Sequence, residues 1–352
     1  MINNLNIASI TKISTPKMII DEIPNNYKEF IINSRQTISN ILNKKDKKLL
    51  VILGPCSIHD TESALHYARE LSKMSKSFKE NLFIVMRCYF EKPRTTIGWK
   101  GLIYDPFLDN SNKIEDGIRI ARQLLRDITK LELPIGLEVL DTITPQYISD
   151  FISWGAIGAR TCESQIHRQL ISGMSMPIGI KNTTDGNIKN AVNAITSARH
   201  PHSFMGCQVD GNVAIVHTKG NDNTHIILRG GNGKPNYYPE IVTKIKSDYG
   251  SQKIMIDCSH CNSNKQSQNQ LTVVESCCEQ IISNDDIIGV MIESNIFEGK
   301  QKLTDKSILK YGVSITDSCI GLEETYSLLF KLNDAIKQKY KRTKLDIFKL
   351  EL

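Results

Sequence analysis

The chain has 352 residues, of which 40% are hydrophobic and 23% are charged, and its formal net charge is +6. Its basic residues are spread along the chain, and no apolar run approaches the length of about 18 residues that spans a bilayer, so we expect neither nucleic acid nor a membrane as a partner. The N-terminal sequence lacks the pattern of a signal peptide and the nine cysteines follow no disulfide framework, which together predict a cytoplasmic protein with reduced thiols.

Residues 1–45 are polar and precede the first clear strand pattern. Within them, Ser34–Leu42 has the pattern of a short helix. We predict that this N-terminal arm is distinct from a larger domain that covers residues 46–352. The arm could pack on a neighbouring subunit or could be a loosely held terminus, and the sequence leaves both possibilities open.

Apolar runs of strand length recur eight times after the arm. They are Leu49–Leu53, Leu82–Met86, Leu133–Val139, Ala156–Ala159, Pro177–Ile180, His225–Leu228, Lys253–Ile256 and Ile287–Ile292. Helical patterns lie between most of them, and Asn112–Lys130 is the clearest because its apolar residues share one face. Buried strands that alternate with helices indicate a parallel sheet, and eight such units predict a (β/α)8 TIM barrel of the α/β class.

One segment interrupts this alternation. In residues 204–218, Asp210 and Gly211 separate two short apolar runs, which is the pattern of a β-hairpin. We therefore predict a hairpin inserted into the barrel. A final helix is predicted at Gly321–Lys339, with its leucines on one buried face.

The segment Met86–Gly101, MRCYFEKPRTTIGWKG, is rich in cations and follows a predicted strand. It contains Arg87, Lys92, Arg94 and Lys100. Further cations follow other predicted strands, and these are Arg160, Lys181 and Arg229. Because the carboxyl ends of barrel strands form one face, we expect five of these cations to converge on a substrate with several negative charges, such as a phosphorylated carboxylic acid. These five are Arg87, Lys92, Arg160, Lys181 and Arg229.

A second set of residues falls at the same predicted face. Cys56, His260, Glu293 and Asp317 offer a thiolate, an imidazole and two carboxylates, which can hold a divalent transition metal. The mixed donor set leaves zinc, iron, manganese and cobalt open. Cys319 lies two residues beyond Asp317, and we hypothesise that its oxidation with Cys56 could block this site.

Eight segments along nearly the whole chain resemble one known family. They are GPCSIHD at Gly54–Asp60, MRCYFEKPRTTIGWKGLIYDP at Met86–Pro106, ISWGAIGARTCESQIHRQ at Ile152–Gln169, IKNTTDG at Ile180–Gly186, HIILRGG at His225–Gly231, DCSHCNSNK at Asp257–Lys265, IESNIFEG at Ile292–Gly299 and YGVSITDSCIG at Tyr311–Gly321. They resemble the class I 3-deoxy-D-arabino-heptulosonate 7-phosphate (DAHP) synthases. The phrases SGMSMPIG, SNK and YGVSITD are similar to the tyrosine-regulated members.

The resemblance implies a reaction and roles for the residues. Phosphoenolpyruvate, erythrose 4-phosphate and water would give DAHP and phosphate, the first step of the shikimate pathway. Arg160 and Arg229 would hold the phosphate of phosphoenolpyruvate, and Arg94 with Thr95 would hold that of erythrose 4-phosphate. The carboxylate and bridging region would lie among Arg87, Lys92 and Lys181. The family's metal ligands match Cys56, His260, Glu293 and Asp317, and we expect Lys92, Lys181, Cys56 and His260 to act in catalysis.

The resemblance also implies regulation and assembly. Family members are often homodimers or homotetramers that an aromatic amino acid inhibits, and tyrosine is our first choice here. The effector pocket would draw on Gln146, Met174, Ser175, Phe204 and Gly206, with the arm of another subunit. Three residues depart from the family pattern: Thr183 and Cys261 stand where glycine is usual, and Cys162 where threonine is usual.

Three other functions compete with this interpretation. A related synthase would use arabinose 5-phosphate, against which the KPRTT segment argues. A Schiff-base aldolase would use Lys181 and would not need a metal. A barrel that only senses a phosphorylated metabolite would have no need of four metal ligands.

Overall fold

The computed structural model describes residues 2–350, and it places eight strands in a closed parallel barrel. Ten strands are described in all, of which β6 and β7 lie outside the barrel: β1 (Leu49–Gly54), β2 (Leu82–Arg87), β3 (Ile135–Glu138), β4 (Trp154–Ile157), β5 (Ile178–Lys181), β6 (Ser203–Cys207), β7 (Val213–His217), β8 (Thr224–Leu228), β9 (Ile254–Asp257) and β10 (Ile287–Glu293). The barrel order is β1, β2, β3, β4, β5, β8, β9 and β10, which closes on β1. This order confirms the predicted (β/α)8 fold. Apolar strands that are buried on both faces favour such a closed parallel sheet.

Ten α-helices accompany the strands within this part of the chain. They are α1 (Pro16–Ile19), α2 (Asn25–Leu42), α3 (Thr61–Phe78), α4 (Ile114–Lys130), α5 (Pro145–Ile148), α6 (Gln165–Ser172), α7 (Ile188–Ala198), α8 (Pro239–Tyr249), α9 (Asn269–Ser283) and α10 (Leu322–Leu350). Helix α4 buries Ile118, Leu125 and Ile128 on one face, as its periodicity predicted. Helix α2 begins nine residues before the predicted start, and α10 runs beyond Lys339.

Helix α2 closes the amino end of the barrel. Its residues Ile38, Ile41 and Leu42 join the apolar cluster of the barrel interior, which contains Trp154 and Met255. Burial of these three aliphatic side chains contributes on the order of 5 kcal/mol. The opposite end, where the strands terminate, therefore remains the open mouth of the barrel.

The inserted hairpin is formed by β6 and β7, which pair antiparallel with Met205 opposite Ile215. Gly211 has φ +86° at the turn, a conformation that glycine adopts without strain. One face of the hairpin leaves Met205, Val213 and Ile215 exposed to solvent. The predicted hairpin is thus confirmed, while the domain boundary near residue 45 stays a prediction. Within the described residues, no helix has the length and apolarity needed to cross a membrane.

Candidate active site

Five barrel strands end on a charged residue whose side chain is buried. These residues are Arg87 of β2, Glu138 of β3, Lys181 of β5, Asp257 of β9 and Glu293 of β10, and Arg229 directly follows β8. Side chains alternate between the two faces of a strand. Residues two positions earlier on these strands, such as Val85, Met255 and Met291, belong to the barrel interior. The charged residues therefore form the uppermost layer of the barrel interior.

A cavity of about 370 Å³ opens above this layer. All seven predicted substrate-binding residues line it, namely Arg87, Lys92, Arg94, Thr95, Arg160, Lys181 and Arg229. Two predicted metal ligands, His260 and Asp317, also line it. Such a concentration of cations around one cavity is suited to a substrate with more than one anionic group.

Arg94, Thr95 and Arg160 form the exposed rim of the cavity. The Arg160 guanidinium donates a hydrogen bond from Nη2 to Thr95 Oγ1 at 2.9 Å. This bond joins the loop after β4 to the loop after β2. The rim can therefore present one group of cations that is distinct from the buried cations below.

Arg87 lies at the bottom of the cavity and is fully buried. Its Nη2 lies 3.0 Å from Glu293 Oε1 and also donates to the carbonyl oxygen of Cys56. Its guanidinium stacks on Tyr89, with 3.6 Å to the ring centroid. These contacts satisfy the guanidinium largely within the protein and hold Glu293 in one orientation.

Three predicted metal ligands are brought together by the fold. One donor atom from each of Cys56, Glu293 and Asp317 lies within 4.8 Å of the others. His260 is at the edge of this group, with Nε2 3.9 Å from Glu293 Oε1. A thiol, two carboxylates and an imidazole form a donor set that fits a divalent transition metal.

The Cys56 thiol is fully buried, with Lys92 Nζ 3.2 Å from its sulfur. Burial, followed by the negative charge of Glu293, raises the pKa of the Cys56 thiol. Nearby Lys92 acts in the opposite direction. The protonated thiol is thus favoured in the protein alone, and a bound cation would favour the thiolate.

Asp257 is a residue of this site to which the sequence analysis assigned no role. Its Oδ2 lies 2.8 Å from Lys181 Nζ and 3.0 Å from His260 Nδ1. Ser259 donates to the other oxygen through its backbone N–H and its hydroxyl. Burial alone would raise the pKa of Asp257, but His260 and Lys181 hold it well below its usual range. The available signal was its position as the last residue of a barrel strand, which it shares with Arg87 and Lys181.

The departures from the family pattern have distinct surroundings. Cys261 Sγ lies 3.7 Å from Arg229 Nη1 and therefore beside one of the cavity cations. The Thr183 hydroxyl bonds to the Asp185 carboxylate within the loop after β5. Cys162 is buried, and its carbonyl accepts a hydrogen bond from Arg168.

The five predicted effector residues lie outside the 370 Å³ cavity. Gln146 is on α5, Met174 and Ser175 follow α6, and Phe204 and Gly206 are on β6. The Ser172 and Thr218 hydroxyls lie 2.7 Å apart and join the end of α6 to the base of the hairpin. The fold therefore places two of these three segments side by side.

Comparisons with known proteins agree with this geometry. The model of the DAHP synthetase I family matches residues 24–329. The phospho-2-dehydro-3-deoxyheptonate aldolase of Haemophilus influenzae is 46% identical over 96% of this chain and 95% of its own length. The Phe-sensitive enzyme of that name from Escherichia coli is 48% identical over 96% of this chain and 98% of its own.

Two further relatives extend the comparison. The tyrosine-inhibited phospho-2-dehydro-3-deoxyheptonate aldolase of Candida albicans is 51% identical over 88% of this chain and 87% of its own. The solved structure of that aldolase from Francisella tularensis superposes with a TM-score of 0.92 at 47% identity. It covers 95% of this chain and 99% of the other.

Proposed function

This chain belongs to the DAHP synthetase I family, and from that premise we propose that its cavity condenses phosphoenolpyruvate with D-erythrose 4-phosphate and water. The products are DAHP and inorganic phosphate, and the reaction is the first step of the shikimate pathway to aromatic amino acids. The observation that carries the proposal is the convergence of all six predicted substrate-binding cations and Thr95 on one cavity beside the Cys56, Glu293 and Asp317 group.

The two substrates would bind next to each other in the cavity. Arg160 and Arg229 would hold the phosphate of phosphoenolpyruvate, while Lys92 and Lys181 would face its carboxylate and bridging oxygen. Arg87 is fully buried at the bottom of the cavity and pairs with Glu293, so its positive charge would act on the substrate from beneath. Fixed cations of this kind stabilise a departing phosphate without reorganisation.

The exposed rim suits the second phosphate. Arg94 and Thr95 would bind the phosphate of erythrose 4-phosphate at the open side of the cavity. Two anions held in one cavity bring the two reacting carbons together. This arrangement recovers much of the entropy that a bimolecular step loses.

Cys56, His260, Glu293 and Asp317 would hold the divalent metal that the reaction requires. The metal would supply a Lewis acid that polarises the aldehyde of erythrose 4-phosphate. The protein prepares the ligands, because the Asp257 carboxylate and the Ser259 hydroxyl lie 3.0 Å and 2.6 Å from His260 Nδ1, while Nε2 faces Glu293. Manganese, iron, cobalt and zinc all suit the donor set.

Relatives named Phe-sensitive and tyrosine-inhibited support an aromatic amino acid as effector. We propose tyrosine, bound by Gln146, Met174, Ser175, Phe204 and Gly206.

The exposed apolar face of the hairpin supports a homodimer or homotetramer, because Met205 and Ile215 would be buried by a second copy. Nine free cysteines support a cytoplasmic location.

The experiment that tests the function follows phosphate release and heptulosonate formation from both substrates. Metal-stripped protein is assayed with and without added manganese. Activity that appears only with metal supports the reaction and the metal site together. Metal-independent activity would retain the reaction and show that the four ligands are not essential, and borohydride trapping would then test whether Lys181 forms a Schiff base.

Two further results test the other functions. Arabinose 5-phosphate as a competing sugar tests the related synthase, and inactivity of the folded protein would favour a sensor.

A further inference from the structure

Lys265 is a cation of the 370 Å³ cavity that has no assigned role. It is exposed and lies in the loop after β9, five residues beyond His260. Among the residues that the structure describes, none accepts a hydrogen bond from its ammonium or pairs with it within 4 Å. An exposed lysine without a partner is common on protein surfaces. Its place at the cavity, its backbone conformation and the charges near it distinguish Lys265 from such a residue.

The backbone of Lys265 is held in an unfavourable conformation. Its φ is +58° and that of Asn264 is +52°, so two successive residues other than glycine lie in the left-handed region. The backbone N–H of Lys265 donates to the carbonyl oxygen of His260 at 2.7 Å. The Asn262 side chain donates to the carbonyl oxygen of Asp257 and fixes the same loop. Glycine would adopt this conformation without strain, so the lysine side chain points to a role in binding.

Lys265 lies on the side of the cavity that holds metal-binding residues. Its ammonium is close enough to Asp317 to act on that carboxylate electrostatically, and both residues line the cavity. The loop that carries Lys265 also carries His260. The cations proposed for the phosphate of phosphoenolpyruvate, Arg160 and Arg229, follow β4 and β8 instead. An anion beside Lys265 would therefore belong to the substrate whose aldehyde the metal polarises.

The proposed binding sites leave the two substrate phosphates with unequal charge compensation. A phosphate monoester carries about 1.5 to 2 negative charges at neutral pH. Arg160 and Arg229 would provide two positive charges for the phosphate of phosphoenolpyruvate. Arg94 alone, beside the neutral Thr95, would face that of erythrose 4-phosphate. Lys265 lines the same cavity and can supply the second charge, since its ammonium is a flexible point charge that adjusts to an entering anion.

We propose that Lys265 is a specificity-determining residue that binds the phosphate of erythrose 4-phosphate together with Arg94 and Thr95. This inference rests on the proposed function and adds no covalent step to it. The ammonium stays unpaired in the empty cavity and pairs with the phosphate when the sugar enters. The contact favours a phosphorylated aldose over a neutral one and leaves the binding of phosphoenolpyruvate unchanged.

The test varies each substrate in turn in the metal-loaded protein. Lys265→Gln removes the charge, so the KM for erythrose 4-phosphate rises by about 10- to 100-fold while kcat and the KM for phosphoenolpyruvate change little. Lys265→Arg keeps a cation and recovers part of the loss. Lys300→Gln is the matched control, because Lys300 is exposed and also acts on Asp317 but lies outside this cavity. Both KM values stay unchanged in this control.

A fourth variant separates binding from a structural role. Lys265→Gly relieves the strain at φ +58°, so its free energy of unfolding in urea stays close to that of the unaltered protein. Its KM for erythrose 4-phosphate nevertheless rises as in Lys265→Gln. If the KM rises only in variants that also lose stability, the side chain supports the loop and the inference is overturned.

The remaining outcomes separate the inference from the proposed function. If the unaltered protein forms no DAHP, the proposed function fails. If the unaltered protein is active and Lys265→Gln has the same KM for erythrose 4-phosphate, Lys265 does not bind this phosphate. Equal rises of both KM values, or the same effect in Lys300→Gln, would assign the change to general electrostatic attraction. A fall in kcat alone would place Lys265 in the chemical step and also reject the inference.

Discussion

The carboxylate of Asp257 lies 3.0 Å from Nδ1 of His260, while the opposite nitrogen of the ring, Nε2, lies 3.9 Å from Glu293. One carboxylate thereby orients the histidine towards the group of metal-binding residues. The same oxygen of Asp257 lies 2.8 Å from Lys181 Nζ. Asp257 thus connects a predicted metal ligand with a predicted substrate-binding cation, although it is neither itself.

Replacement of Asp257 should weaken metal binding and stability together. Asp257→Asn keeps the volume but removes the charge that orients His260, so we expect metal affinity to fall by about 10- to 100-fold. Lys181 is left without its buried partner, which costs about 3–5 kcal/mol. Chelator competition measures the first effect and urea unfolding measures the second. Asp222→Asn, at an exposed position, is the control, and unchanged metal affinity in folded Asp257→Asn would contradict the role.

Arg94 should act on one substrate only. If the cavity rim binds the phosphate of erythrose 4-phosphate, Arg94→Ala loses about 1.5–3 kcal/mol of charge-assisted hydrogen bonding. The KM for erythrose 4-phosphate should then rise by about 10- to 100-fold, with the KM for phosphoenolpyruvate little changed. Steady-state kinetics in which each substrate is varied in turn measures the two KM values separately. Lys100→Ala removes an exposed cation of the same loop and should leave both constants unchanged; equal effects of the two variants would point to general electrostatic attraction.

Glu91 should make stability depend on pH. Burial, followed by the charge of Asp141, raises the pKa of Glu91 to about 8, from an unfolded value near 4.5. The folded state therefore holds a proton that the unfolded chain releases. The contribution is fully present below about pH 4.5 and is lost as the pH rises towards about 8.

Glu91→Gln tests this dependence because it is neutral at every pH. Its free energy of unfolding should change less between pH 5 and pH 8 than that of the unaltered protein, with a difference of a few kcal/mol at the upper end. Urea unfolding across this range measures the effect. Glu132→Gln, an exposed change, should retain the full slope. Parallel profiles for Glu91→Gln and the unaltered protein would show that the Glu91 carboxyl does not cause the slope.

Oxidation should join Cys56 to Cys319. The backbone N–H of Cys56 donates to Cys319 Sγ at 3.4 Å, and both thiols are buried. Burial raises the pKa of each thiol, so peroxide should inactivate the protein faster as the pH rises. Peroxide converts one thiolate to a sulfenic acid, and the second thiol displaces water to form the disulfide.

Peptide mapping by mass spectrometry should find the linked Cys56–Cys319 peptide in the inactivated protein. Cys319→Ser should lose that product, and a bound metal should slow its formation. Cys278→Ser, which alters a thiol on α9, is the control and should behave as the unaltered protein. Inactivation without a linked peptide would assign the damage to other residues.

Much of the fold and the site could be predicted from the sequence. The eight barrel strands are local apolar runs rich in residues that favour β-strands. Their observed ends lie within two residues of the predicted ends. Strand ends define a face in any parallel barrel, so the positions of Lys181 and Arg229 along the chain already placed them together. The hairpin followed from Asp210 and Gly211 because turn chemistry is local.

The tertiary structure decided which charges pair. Arg87 and Glu293 are separated by more than two hundred residues in the chain, yet they meet at 3.0 Å, and no local pattern encodes that contact. The same holds for Asp257 with Lys181. Local propensity sets where a strand begins and ends. The partner of each side chain depends instead on barrel closure, which brings distant strand ends within a few ångströms and removes them from water.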